Sequence, residues 1–141
     1  MAPGARCRVV GARYQAGFDI NNVVEPTLRD LSHATQESAS FYVREGQERA
    51  CISRVEGPQS VRHHVRIGMR LPLNLGAPGR VILAFSGEPG SVYESIRRKG
   101  YHVSMGEREA QVSSVAAPVF GLNWRLLGSM CAFVSGNRRR I

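Results

Sequence analysis

Apolar positions along the chain change their period several times, and each change marks an element. After Asp19, the residues Ile20, Val23, Val24, Leu28 and Leu31 recur at helical spacing, while Asn21, Glu25, Arg29 and Asp30 fall between them. This predicts an amphipathic helix capped by Asp19, with Pro26 bending or delaying its first turns. The stretch SASFYVREG then alternates, with Ala39, Phe41 and Val43 on one face and Ser40, Tyr42 and Arg44 on the other, the pattern of a half-buried strand. The turn Glu45-Gly46-Gln47-Glu48 leads into RACISRVEG, which Gly57-Pro58 ends, so residues 38–57 read as a β-hairpin. VRHHVRIG alternates again, placing Val61, His63, Val65 and Ile67 on one face, and predicts a third strand.

The stretch GMRLPLNLGAPGRVILAF, residues 68–85, sets a Gly/Pro-rich turn between a strand-like stub and an apolar run that reads as a helix from Gly79 to about Phe85. A second helix is expected in GEPGSVYESIRRKG, with Pro89 near its start and Gly100 as its stop after a basic last turn. Two strands, VSSVAAPVFG and LLGSMCAFVSG, follow across the turn Leu122-Asn123-Trp124-Arg125, with room for one more strand before them. Helix, three strands, two helices and two or three strands make an α+β fold with an antiparallel sheet, not an alternation of βαβ units.

At 141 residues with 43% hydrophobic and 21% charged residues, the chain has one domain's length and globular composition. No apolar run approaches the roughly 20 residues of a membrane span, and the first six residues lack the apolar core of a secretory signal, so no membrane partner and a cytoplasmic location are expected. Cys7, Cys51 and Cys131 are an odd set without CxxC spacing, which argues against a disulfide framework and a zinc knuckle; Cys51 and Cys131 fall in strands. The net charge of +8 comes almost wholly from arginine, with Lys99 the only lysine, and apart from Arg138-Arg139-Arg140 the arginines are scattered. That distribution reads as a solvated surface more than a nucleic-acid patch.

With these elements placed, the chain resembles the C-terminal effector-binding domain of IclR-family bacterial transcription regulators. VVEPTLRDLSHATQESASFYVREGQERACISRVEG, IGMRLPLNLGAPGRVILAF, GEREAQVSSVAAPVFG and LLGSMCAFVSG carry the likeness, over roughly residues 15–136. The second stretch is the most specific: the family pattern there is G-x-R-x-P-L-H, a few small residues, then G-K and an apolar helix. The chain departs from it at Asn74 (family His), at Arg80 (family Lys), at Leu75-Gly76-Ala77-Pro78 (family Ala, Thr and Ser) and at Gln111 (family Gly). These departures bear on the ligand more than on the fold.

The resemblance implies a GAF-like antiparallel sheet flanked by helices, a small organic or aromatic acid as effector, and assembly as a homodimer or homotetramer. It also implies an N-terminal winged helix-turn-helix that reads DNA. Residues 1–17 read as a linker or arm too short to be that domain, and 18–141 as the effector-binding domain, so DNA is expected to be reached only through a winged-helix domain not in this chain. By position in the family motifs, Ala77, Pro78, Val112, Ser114, Phe133 and Ser135 match ligand-lining sites, and Ser104 sits where a polar pocket residue is often found. Together with Asn74, Leu75, Gly76, Gly79 and Cys131 these make the candidate effector site.

The physical case for that site is a helix mouth facing two small-residue strands. A helix beginning near Pro78 leaves the N–H groups of Ala77, Gly79 and Arg80 without helical acceptors, a place for a carboxylate; otherwise the glycines only make a tight turn and the helix packs. Period-2 spacing sends Ser129, Cys131, Phe133 and Ser135 to one face of the last strand, and Val112, Ser114 and Ala116 to one face of its neighbour. Each serine is either a ligand contact or a satisfied strand hydroxyl.

A phosphate loop is excluded by the missing G-K-[ST] ending. His63 and His64, as strand neighbours, point to opposite faces and cannot share a metal, and no metal or other cofactor is expected. No Ser/His/Asp or Cys/His constellation marks catalysis. The alternatives are a stand-alone GAF-like module without DNA contact and a small enzyme using Glu107 or His63 as a base. Trp124, in a turn, reads equally as a subunit contact or a plain surface residue.

Overall fold

The computed structural model describes residues 20–58, 65–106 and 112–135, and of 20, 21, 112, 134 and 135 only the backbone. Helix α1 (Ile20–Thr35) is followed by strands β1 (Ala39–Glu45), β2 (Glu48–Val55) and β3 (Arg70–Pro72). Helices α2 (Ala77–Ala84) and α3 (Ser91–Lys99) precede β4 (His102–Met105), β5 (Val112–Phe120) and β6 (Leu126–Ser135). The strands form one sheet in the order β3-β2-β1-β6-β5-β4, and its pairings are antiparallel. The architecture is therefore the α+β sheet flanked by helices that the apolar pattern and the resemblance led us to expect.

Both faces of the central strands are covered. On one face α1 buries Val24 and Leu28 against Ala39, Phe41, Val43 and Ala50; each such Leu or Val contributes about 1.5–3 kcal/mol. The opposite face carries Tyr42, Cys51, Ala116, Cys131 and Phe133 beneath α2, whose Val81, Ile82 and Ala84 are buried there. The reading of β1 as half-buried is corrected: Ser40 and Tyr42, assigned to a water face, are fully buried, because β1 lies between β2 and β6 with a helix on each side. Helix α1 runs through Pro26 without a break, and Pro26 is exposed, so the hydrogen bond its ring removes lies on the solvent side. Val23, expected on the apolar stripe, is instead 56% exposed. The cap assigned to Asp19 lies outside the described residues.

The expected third strand is also corrected. Residues 61–64 lie outside the description, and 65–68 are not a strand: Val65 is buried, but Ile67 is 66% exposed in a turn that Gly68 closes at φ 92°. Among the described residues of this segment, pairing with the β2 edge begins here, where the Gly68 amide donates to the Cys51 carbonyl at 2.7 Å and the Cys51 amide to the Met69 carbonyl at 3.0 Å. The strand proper is the stub at Arg70–Pro72. Gly100, in the left-handed conformation, ends α3 and donates to the Ile96 carbonyl at 2.7 Å. Among the described residues no helix is long and apolar enough to cross a membrane.

Candidate functional site

The α2-facing side of the sheet is built in rows, set by strand register. One row runs Ser104, Ser114, Phe133, and the Phe133 amide donates to the Ser38 carbonyl at 3.1 Å. The next runs His102, Ala116, Cys131, Ser40, Arg54, and a third runs Pro118, Ser129, Tyr42, Cys51. Arg54 reaches this face because β2 carries a bulge: Tyr42 pairs with Cys51 but Phe41 with Ser53, so Ile52 is an extra residue that reverses the alternation.

Helix α2 begins over the Ser129 row. Its N-cap, Gly76, has φ 90°, and Ala77, Pro78 and Gly79 are buried. The helix starts two residues before the expected Gly79. Consequently one expected donor is spent: the Arg80 amide bonds the Gly76 carbonyl at 3.2 Å, leaving Ala77 and Gly79 as the first-turn amides without a helical acceptor. The Ser129 hydroxyl donates to the Pro78 carbonyl at 3.0 Å, so β6 and the helix start are in direct contact there. Below the same turn lies the buried Arg49, whose Nη1 donates to the carbonyls of Pro72 and of Leu75, the latter at 2.8 Å. Its guanidinium stands 5.0 Å from the centre of the Tyr42 ring.

Of the residues expected from sequence, Gly76, Ala77, Pro78, Gly79, Ser104, Ser114, Cys131 and Phe133 are buried and share this side of the sheet. Asn74 and Leu75 are exposed. Val112 and Ser135 pair with each other at the end of the β5–β6 ladder, and their side chains lie outside the described residues, as do His63, His64, Glu107 and Gln111. Among the described residues no cluster of three or more His, Cys, Asp or Glu could hold a metal ion. Trp124 is 81% exposed and edge-on to Phe120 at 5.7 Å, as either reading of that turn requires.

Three residues that the sequence pattern did not single out stand in this site: Tyr42, Arg49 and Arg54. The Tyr42 hydroxyl is buried with no hydrogen-bond partner among the described residues. Burial pushes its titration above the usual tyrosine range, and Cys131 and Cys51 add to that while Arg49 and Arg54 oppose it. Burial likewise pushes the Cys131 thiol up to about 12 and raises that of Cys51, so both stay protonated. Cys51 and Cys131 are free thiols on strands separated by β1.

The comparisons with known proteins agree with this architecture. Residues 12–92 match the family described as bacterial transcriptional regulator IclR, C-terminal. The chain is 29% identical over 128 residues to the HTH-type transcriptional regulator KipR of Bacillus subtilis, covering 73% of this chain and 51% of that protein. It is 26% identical over 138 residues to XynR of Escherichia coli, covering 80% and 55%. The chain thus spans about half the length of the curated relatives it matches. The C-terminal domain of a Vibrio cholerae transcriptional regulator superposes with a TM-score of 0.77 at 29% identity, over 89% of this chain and 88% of that one. The Thermotoga maritima IclR structure shares the fold with a TM-score of 0.78 at 24% identity, over 99% and 66%. The chain is a domain of the transcription-regulator class and not of an enzyme class. It belongs to the IclR family, as its C-terminal domain.

Proposed function

We propose that the chain senses a small organic or aromatic acid in the cytoplasm and couples its binding to subunit arrangement and to DNA binding by a winged-helix domain outside this chain. The observation that carries this reading is the Tyr42 hydroxyl, buried and unpartnered among the described residues on the face shared by the α2 start, Cys131 and Phe133. A buried hydroxyl without a partner costs about 1–3 kcal/mol, which a ligand oxygen would recover. Ser104, Ser114 and the first-turn amides of Ala77 and Gly79 supply further polar groups, and Phe133 an apolar wall. The effector works as a switch only by binding one arrangement of a homodimer or homotetramer more tightly than the other; equal affinity for both would shift nothing.

The test is a thermal-shift screen of the purified chain against small keto, hydroxy and aromatic carboxylates, repeated on Tyr42→Phe. At least one carboxylate should stabilise the wild type. The variant should be about 1 kcal/mol more stable without ligand, since the unpartnered hydroxyl is gone, and should lose most of the ligand's shift. No shift with any carboxylate, or a full shift in Tyr42→Phe, would overturn the reading.

A further inference from the structure

The bulge at Ile52 delivers a buried cation to the candidate site, and the chain itself already offers that cation a carboxylate. The Arg54 side chain is only 7% exposed. Its Nη1 donates to the Ser40 hydroxyl at 3.1 Å, and the guanidinium carbon lies 5.8 Å from the centre of the Phe133 ring. Its Nε donates to Glu56 Oε2 at 3.2 Å, and Glu56 is 71% exposed. A guanidinium has five N–H donors in a planar fork suited to two-point binding of a carboxylate. Glu56 instead meets one edge of it, by a single contact longer than the 2.7–2.9 Å usual for a charge-assisted bond. Its other oxygen accepts from the Ser38 hydroxyl at 3.4 Å.

We propose that Arg54 is the anchor for the effector's carboxylate, and that Glu56 is an intrachain carboxylate which occupies Arg54 until the effector displaces it. The inference rests on the effector reading above and adds to it the residue that selects for charge and the residue that sets the affinity threshold. The Phe133 ring beneath the guanidinium gives the apolar part of the acid a surface beside its charged end. The exchange also reaches the backbone: Ser38, which donates to Glu56, accepts from the Gly57 amide at 3.1 Å, and its carbonyl accepts from the Phe133 amide on β6. Gly57 is held close, since a Cβ there would sit 2.3 Å from the Glu37 carbonyl carbon. Displacing Glu56 therefore releases one of the contacts of Ser38, the residue that leads into β1 and bonds β6 through its carbonyl.

The experiment uses pyruvate and benzoate as probes, with benzamide as the uncharged counterpart of benzoate, in calorimetric titrations of the wild type, Glu56→Gln and Arg54→Gln. Removing the competitor should tighten carboxylate binding by about fivefold or more in Glu56→Gln, because a site blocked part of the time has its affinity reduced in proportion. Arg54→Gln should weaken it by about thirtyfold or more, and benzamide should bind none of the three chains. Because Glu56 is exposed, its substitution leaves the fold intact and the test does not depend on Arg54→Gln folding. Carboxylate binding that Glu56→Gln leaves unchanged or weakens, or that Arg54→Gln leaves intact, overturns the anchor while the effector reading stands. If neither carboxylate binds any of the chains, the anchor falls, whereas the effector reading falls only if the whole carboxylate panel above also gives no thermal shift.

Discussion

Tyr42, Cys51 and Cys131 are three weak acids held in one buried cluster, and ionising any of them there costs more than it does in the unfolded chain. Burial raises the Cys131 thiol from its ordinary 9.0 to about 12, against the pull of Arg49, and Cys51 and Tyr42 move in the same direction. Above pH 9 the unfolded chain releases protons that the folded chain keeps, so stability present in full below pH 9 is lost as pH rises toward 12. For one group the loss proceeds at up to about 1.4 kcal/mol per pH unit. The melting temperature should therefore fall steadily from pH 9 to pH 11, and less steeply in Cys131→Ala, which starts less stable at neutral pH. Equal slopes in the two proteins would show that the thiol is not held protonated. These residues were hard to see in the sequence for a specific reason. Alternation assigned Tyr42 to water because nothing in SASFYVREG reveals that β1 is central, and Arg54 follows the alternation of Cys51 only if Ile52 is counted out. Cys131, Phe133 and Ser114 were legible because β5 and β6 keep their register from Val112 to Val119, and Ser104 through the family resemblance alone.

At the scale of the element, the turn into α2 is built from backbone packed on backbone. A Cβ on Gly79 would lie 2.1 Å from the Leu73 carbonyl oxygen and 2.8 Å from Arg49 Nη1, neither of which is the end of a freely moving chain. In an exposed helix, glycine to alanine gains about 1 kcal/mol; here the sign reverses. Gly79→Ala should cost about 3 kcal/mol by overpacking, read from urea unfolding. Gly87→Ala, at φ +94° with nothing within 4 Å of the new Cβ, should cost about 1 kcal/mol from backbone strain alone. Comparable costs at the two positions would mean that the turn can relax away from Arg49. The glycines were visible in the sequence as a turn, but their partner was not, since Arg49 lies on β2 and nothing local connects it to residues 72–79. VRHHVRIG shows the complementary failure: alternation specifies which side chains share a face, not whether a sheet edge is close enough to pair. In the described part of that segment, pairing with β2 starts at Gly68, beyond the apolar alternation.

Across the whole molecule the net charge of +8 has to be reconciled with the proposal that DNA is read by a module outside this chain. The described arginines are largely engaged in local structure. Arg49 holds the carbonyls of Pro72 and Leu75, Arg97 those of Ala84 and Glu88, Arg44 that of Gly46, and Arg70 the carboxylates of Glu45 and Glu48 at the β3 edge. Cations spread in this way over turns, caps and an edge strand attract phosphates without forming a surface that matches a groove, so attraction to DNA is expected without discrimination. Fluorescence anisotropy with two short duplexes of unrelated sequence should give affinities within about threefold of each other. Both should weaken about tenfold or more between 50 and 200 mM salt, as counterion release requires. A preference above about tenfold for one duplex that survives 200 mM salt would place sequence reading within this chain and contradict the division of labour proposed for it. Equal, salt-steep binding instead leaves the positive field a supporting part, holding the sensor near the polyanion while another domain reads the bases.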